Sequence, residues 1–305
     1  MDQIIERALS LLRRDGRASY SKIARQLGTS RVNIASKLGP LLESGSVRVI
    51  AAVHPRLLGL DVLAHASIRV SGPLEPVIES IAHLTSPVFV SETVGQYQLV
   101  CELHARDLHE LQVDLRQLRA APGVLEADVI LYERMLSSFF LGEEPAQFEH
   151  GFDEHDLRII DLLQVDGRMS YSDIADEVGL SISAARARVT RLLETGAMQI
   201  GVVRGRNAAG SELVFGFGFK LKGDEGHLLK LLSEDPGLEF LARTVGRFSV
   251  VATLAFPSLS IFNQLVARLR EVEAVHTIEP WLHAAIRLER YHHGAHGLAA
   301  ANGYW

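Results

Sequence analysis

Cysteine is all but absent. Cys101 is the only one, so no intrachain disulfide can form and a disulfide-stapled scaffold is excluded. A long apolar run is also missing: nothing approaches the ~20 consecutive apolar residues that span a bilayer, so no membrane partner is expected. The opening MDQIIERALS is polar and amphipathic and does not read as a secretory leader. Together these absences set a cytoplasmic expectation. No nucleotide-binding glycine loop, nucleophile elbow or paired-carboxylate constellation is visible, so neither catalytic residues nor a cofactor are expected. His65, His83, His104 and His109 have no ligand spacing. The tract Tyr291-His292-His293-Gly294-Ala295-His296 resembles a metal-binding stretch, but such a cluster in a tail is more often disordered than ligating, so no metal is expected. Cys101, mid-strand, reads as a small buried apolar residue.

A positive balance is missing too. The net charge is −6, which for the whole chain argues against nucleic acid. Its distribution says otherwise. Residues 1–50 hold nine Lys/Arg against four Asp/Glu, a balance of +5, whereas residues 63–150 hold five against thirteen, a balance of −8. Residues 152–206 stand at −2 (seven against nine) and residues 207–305 at −1 (nine against ten). A basic segment beside an acidic one suits a DNA-contacting head on an acidic regulatory body, and suits the first such head better than the second.

What is abundantly present is repetition. At an offset of 151 residues the chain aligns with itself without gaps. Asp15-Gly16-Arg17-Ala18-Ser19-Tyr20-Ser21 lies over Asp166-Gly167-Arg168-Met169-Ser170-Tyr171-Ser172, and from 15 to 30 ten of sixteen positions are identical. The register persists through Leu41, Leu42, Glu43 and Gly45 over Leu192, Leu193, Glu194 and Gly196, and through Thr93-Val94-Gly95 over Thr244-Val245-Gly246. So long a period marks two copies of a folded unit, not a solenoid. The joint is expected in the polar residues 142–151.

Each copy divides into two parts. In the first part, helices are expected near 2–13, 19–27 and 30–43, and at the equivalent places in copy two. Asp153 is a candidate cap for the first helix of copy two, Ser170 or Ser172 for the second and Ser181 for the third. Gly179 supplies the tight turn between the second and third. A short apolar run follows in each copy, 47–53 and 198–203, suited to a wing strand. Two helices joined by a glycine turn, the second opening on a capping serine, describe a helix-turn-helix. The third helix of copy two shows Ser181, Ser183, Arg186, Arg188 and Arg191, with small residues between them. That of copy one shows Ser30, Arg31, Asn33, Ser36 and Lys37. Arg and Asn read guanine and adenine edges, and Arg and Lys hold phosphates, so these ten residues are the candidate contacts to double-stranded DNA. Gly39-Pro40 falls inside the third helix of copy one, where a kink or an early stop is expected. The second part of each copy runs strand–helix–strand–strand–helix–strand (64–70, 73–84, 88–94, 97–103, 107–119 and 124–135, then the same in copy two), the ferredoxin-like βαββαβ order. Its bare sheet face must be buried, most simply against the sheet of the other copy. The expected class is α+β: winged helix-turn-helix domains at 1–50 and 152–203, ferredoxin-like domains at 62–141 and 212–291, and a tail at 292–305. Surface left over is expected to support a homodimer or larger homo-oligomer of whole chains.

The string Asp166-Gly167-Arg168-x-Ser170-Tyr171-x-x-Ile174-Ala175-x-x-x-Gly179-Leu180-Ser181, followed by Arg188 and Gly196, resembles the leucine-responsive regulator/AsnC (Lrp/AsnC) family of transcription factors. Asp153 and Asp156 fit that family's leading acidic pair, and Pro122-Gly123-Val124 stands at its usual place before the last strand. The resemblance covers nearly the whole chain, twice, as if a dimer had been fused into one polypeptide. It implies promoter binding modulated by an amino acid or related metabolite held between paired sensing domains. The implied effector residues are Val94, Gly95, Gln96, Tyr97 and Gln98 and their counterparts Val245, Gly246, Arg247, Phe248 and Ser249. Both turns lack the Asp that the family usually carries there, and Arg247 would favour an anionic ligand group. Siroheme decarboxylases of the same architecture are the alternative resemblance. The Arg/His-rich strand they would need is not evident, and the basic third helices favour DNA.

Overall fold

The computed structural model describes residues 3–138, 152–204 and 213–290. The expected joint at 142–151, the tail at 292–305 and the histidine tract starting at Tyr291 lie outside them. Copy one runs α1 (Gln3–Arg14), α2 (Tyr20–Leu27), α3 (Arg31–Glu43), β1 (Val47–Val53), a 3-10 turn (Pro55–Leu58), β2 (Val62–Val70), α4 (Glu75–Ala82), β3 (Pro87–Val94), β4 (Leu99–Ala105), α5 (Leu108–Ala120) and β5 (Val124–Ser138). Copy two repeats it as α6 (Glu154–Val165), α7 (Tyr171–Val178), α8 (Ile182–Glu194), β6 (Met198–Arg204), β7 (Leu213–Leu221), α9 (Gly226–Ser233), β8 (Leu238–Val245), β9 (Val250–Phe256), α10 (Leu259–Arg270) and β10 (Val275–Glu289). Among the described residues no helix is long and apolar enough to cross a membrane. The chain forms two compact units, each built from both copies.

The first unit joins the two three-helix heads. Ser19 and Ser170 cap α2 and α7 by accepting from the backbone N–H three residues on, and Gly28 (φ 65°) and Gly179 (φ 70°) end those helices in the left-handed region. One apolar core runs through both heads, from Leu9, Leu12, Ile23, Ile34 and Leu38 to Ile159, Ile160, Leu163, Ile174 and Val189. The strands expected as separate wings pair with each other: β1 and β6 are antiparallel, with Ile50 opposite Gly201. Val47, Val49, Ile50, Ala51 and Val53 are all buried, so this strand has too little polar surface to stand free as a wing, and its counterpart supplies the missing ladder. Pro40 does not stop α3, which continues to Glu43. Proline removes a single N–H near the helix end, and the buried Ile34 and Leu38 anchor the turns before it.

A reciprocal clasp closes the head pair, and it explains the repeated Gly-Arg. Arg17 donates from Nη1 to the Gly167 carbonyl (2.9 Å) and from Nη2 to that of Met169 (2.7 Å), while Arg168 Nη2 reaches the Ala18 carbonyl (3.1 Å). Each guanidinium lies over the other copy's tyrosine, Arg17 4.7 Å from the Tyr171 ring and Arg168 5.4 Å from that of Tyr20. Gly16 N–H donates to Ile200 O (2.9 Å) and Gly167 N–H to Val49 O (2.8 Å). A Cβ on Gly16 would stand 2.8 Å from the Ile200 carbonyl oxygen, and one on Gly167 3.0 Å from the Ile50 backbone. These glycines permit the close approach of the two copies' backbones.

The second unit is a closed eight-stranded barrel in the order β10-β3-β4-β2-β5-β8-β9-β7. The expected burial of one sheet by the other takes the form of edge-to-edge closure. Each copy contributes a βαββαβ set of four strands, and its last strand serves both sheets. β5 pairs with β2 over residues 124–131 and with β8 over residues 131–138. β10 does the same with β7 and β3, changing partner at Leu282. Closure leaves no free edge. Helix-covered cores lie outside each half, one around Ile68, Val77, Leu99 and Leu118, the other around Phe217, Phe219, Phe256 and Leu269. Leu63, Val100, Ile130, Tyr132, Phe248, Val251 and Trp281 form a separate inner cluster. Gly216 and Gly218 alternate with the phenylalanines of β7 because the inner aromatics lie flat on that strand: a Cβ would fall 2.1 Å from the Trp281 ring at Gly216 and 2.3 Å from the Phe248 ring at Gly218.

Gly16→Ala and Gly216→Ala are each expected to destabilise the protein by about 1–3 kcal/mol, the cost of forcing a methyl into a filled site. Denaturant melts that match wild type would contradict this packing.

Candidate functional site

Two surfaces carry the expected site residues. The first comprises α3 and α8. Ser30 Oγ accepts from Asn33 N–H (3.1 Å) and Ser181 Oγ from Ala184 N–H (3.2 Å), so both helices begin at the expected serine. Ile34 and Leu38, and Ala185, Val189 and Leu192, turn into the core. Facing outward are Arg31, Val32 and Ser36 on α3, and Ile182, Ser183, Arg186, Ala187 and Arg191 on α8. Lys37 is half-buried, and Asn33 is partly engaged, its Nδ2 donating to Thr29 Oγ1 at 2.8 Å. Arg186 is exposed, its guanidinium 5.7 Å from the Tyr171 ring. Val32 and Ile182 were not singled out from the sequence, yet they stand 74% and 56% exposed in the first turns of the two helices.

Arg188 has a different occupation from the one expected. Its Nη1 donates to both Asp153 oxygens (2.9 and 2.7 Å) and to Asp156 Oδ1 (2.8 Å), while Arg191 Nη2 reaches Asp156 Oδ2 at 2.5 Å. Asp153 and Asp156 also form a reciprocal capping box at the start of α6, and the Asp156 side chain is only 2% exposed. A buried carboxylate demands a cation, so Arg188 positions α8 against α6, and part of Arg191 is drawn into the same task. The Asp156 N–H donating to Asp153, with Arg188 beside it, holds the Asp153 carboxyl below its ordinary value against a smaller opposing effect of burial.

The second surface is formed where the two turns expected to hold an effector come together, with Arg247 of one over Tyr97 of the other. Each turn is tied the same way: Thr93 Oγ1 donates to Tyr97 O and Thr244 Oγ1 to Phe248 O, both at 2.8 Å. Gln98 Oε1 accepts from Val70 N–H, and Ser249 Oγ from Leu221 N–H. Val94, Gly95, Gln96, Val245 and Gly246 are exposed, whereas Tyr97 and Phe248 are buried. Arg247 joins the turns, its guanidinium 4.7 Å from the Tyr97 ring and 4.3 Å from that of Phe248. It is paired with Glu279 (3.1 Å) and Asp128 (3.5 Å), so its charge is already answered inside the protein and is not offered to an anionic ligand as expected. Burial raises the Tyr97 hydroxyl pKa, with Arg247 opposing. Arg247 Nη2 also approaches Ser67 Oγ (3.5 Å), which lies 3.1 Å from His65 Nε2, and His65 Nδ1 lies 2.8 Å from Glu102. Tyr132 donates to the same carboxylate, and burial, with Glu102 adding to it, pushes its pKa well up. His65 and Ser67 were legible as a polar alternation on an otherwise apolar strand, but ligand spacing alone passes over it. Among the described residues no group of His, Cys, Asp or Glu is placed to hold a metal.

A profile of the AsnC-type helix-turn-helix domain matches residues 1–37 and 152–193, the two heads. The HTH-type transcriptional regulator FL11 of Pyrococcus abyssi is 30% identical over 126 residues, 41% of this chain and 83% of that protein. The chain belongs to the Lrp/AsnC family. Another relative, the HTH-type transcriptional regulator Ptr1 of Methanocaldococcus jannaschii, is 26% identical over 113 residues, 36% of this chain and 76% of that protein. A crystal structure of the siroheme decarboxylase NirDL covers 96% of both chains with a TM-score of 0.68, and its complex with an iron-uroporphyrin III analogue covers 95% of both with 0.65. Both are 14% identical, so the likeness is one of fold. In this family member the two matched ranges place both heads on one polypeptide.

The Asp153–Arg188 contact makes a signed prediction. A carboxyl whose folded pKa is depressed contributes stability above its unfolded pKa and loses that contribution as pH falls through the folded value. Wild type should therefore lose stability to acid more steeply than Asp153→Asn, which keeps a capping side chain but cannot titrate. Superimposable acid melts would refute the contact. Arg188→Met is expected to lower unfolding free energy by about 1–3 kcal/mol, because Asp156 would remain buried with a weakened partner.

Proposed function

We propose that the protein is a sequence-specific, DNA-binding transcription regulator acting in the cytoplasm. In this reading α3 and α8 enter the major groove, and the barrel, read as two fused ferredoxin-like sensing domains, responds to an amino acid or related small metabolite near the two turns. The observation that carries the reading is the pair of serine-capped helices, presented by one clasped head pair, with Arg31, Ser36, Ser183 and Arg186 facing outward. Arg186 is the leading candidate for base contact in copy two, since Arg188 is committed to Asp153 and Asp156. Arg31 is its functional parallel in copy one, with Lys37 and Arg191 nearer the phosphates. Charge agrees in the first head, where +5 over residues 1–50 supports phosphate contact. The reading assigns no catalytic residue, cofactor or metal, and it includes association of whole chains into a homodimer or larger assembly. An effector that engages the turns would have to accommodate the Arg247 pairing with Asp128 and Glu279.

The second reading is a decarboxylase acting on a tetrapyrrole. The likeness to NirDL over nearly the whole chain motivates it, and the His65–Glu102–Tyr132 cluster offers it titratable groups inside the barrel. Siroheme incubated with the protein and followed by absorbance tests it directly.

Arg186→Ala should weaken binding to a selected operator by about 1–3 kcal/mol while leaving thermal stability unchanged. Binding of the wild type should fall steeply with salt in a mobility-shift assay. Equal affinity of the variant and the wild type would remove α8 from the interface. A thermal-shift screen over the amino acids should raise the melting temperature with at least one of them; a flat response would argue against amino-acid sensing.

A further inference from the structure

The clasp and the outward faces have followed different courses since the duplication. From 15 to 30, the stretch containing the clasp, ten of sixteen positions match their counterparts. From 31 to 38, set against 182 to 189, none of the eight does. The buried positions of that stretch stay apolar, Ile34 against Ala185 and Leu38 against Val189, so packing is kept while outward chemistry changes. Arg31 is matched by Ile182, Val32 by Ser183, Ala35 by Arg186 and Ser36 by Ala187. The exposed arginine nearest the helix start therefore sits in the first turn of α3 but in the second turn of α8. Four residues move it about 6 Å along the helix axis, more than the ~3.4 Å of one base step. The exposed apolar side chain moves from the second helical residue, Val32, to the first, Ile182.

From this, and resting on the DNA-binding reading, we infer that one chain recognises a directional operator: two unlike half-sites in a fixed order. Two identical chains related by a two-fold must present identical helices, which makes their operators palindromic. Both helices here belong to one polypeptide, so that restriction is lifted. Arg31 and Arg186 select guanine at different depths of their half-sites, because the guanidinium pairs with the O6 and N7 edge. Val32 and Ile182 select a thymine methyl at positions offset the opposite way.

The test is selection of the full-length wild type against a random duplex library, followed by affinity measurements on the selected order and on the two palindromes made from its halves. The expected result is a pair of unlike half-sites per chain, bound about tenfold or more tightly than either palindrome made from its halves. Arg31→Ala should relax the consensus in one half only, and Arg186→Ala in the other half only. The triple variant Arg31→Ile, Val32→Ser, Ala35→Arg should draw the first half toward the second. Two like half-sites within the segment bound by one chain, or single variants that relax both halves alike, overturn the inference and leave DNA binding standing. Selection of no sequence at all, with no salt-sensitive duplex binding, overturns the DNA-binding reading and the inference with it.

Discussion

Backbone hydrogen bonds exchanged between the two copies are the constraint on which everything else rests. Three strand pairs cross the duplication: β1 with β6, β5 with β8, and β10 with β3. Each strand would otherwise present a row of unpaired amides and carbonyls, and an apolar strand left in that state is an invitation to aggregate. Neither copy satisfies its own edges. The fifteen-residue length of β5 and β10 follows from this, because each must serve first its own sheet and then the other.

Within that frame the two copies have filled equivalent space in different ways. Where copy two has Gly216, Gly218 and Thr253, copy one has His65, Ser67 and Glu102. Where copy one has Ile130 and Tyr97, copy two has Trp281 and Phe248, whose rings occupy the room vacated by the glycines. Bulk on one strand is exchanged for bulk on its neighbour, which keeps the barrel filled while concentrating polar groups in one half. Identical chains could not make that exchange on one side only.

Much of this was readable from the residues. The fixed offset announced the duplication, and serine caps with a glycine turn placed the third helix of each head. Partners were harder. Residues 47–53 read correctly as a strand, but periodicity says nothing of what lies across the ladder, and a wing was the natural expectation. Arg186 and Arg188 looked equivalent on paper. Only the fold brings Asp153 and Asp156, more than thirty residues earlier, beneath one of them and not the other. The β7 sequence Phe-Gly-Phe-Gly-Phe held a signal that went unused, since glycine inside a strand marks a place where something else approaches closely.

Covalent linkage of the copies has a consequence for dilution. Two separate subunits must find each other, and their paired fraction falls as their number in the cell falls. Here the interlocking β1–β6 ladder and the barrel seams form within a single molecule, at an effective concentration set by the connecting segments and not by expression. A chain present in only a handful of copies would hold its paired state as completely as one present in thousands.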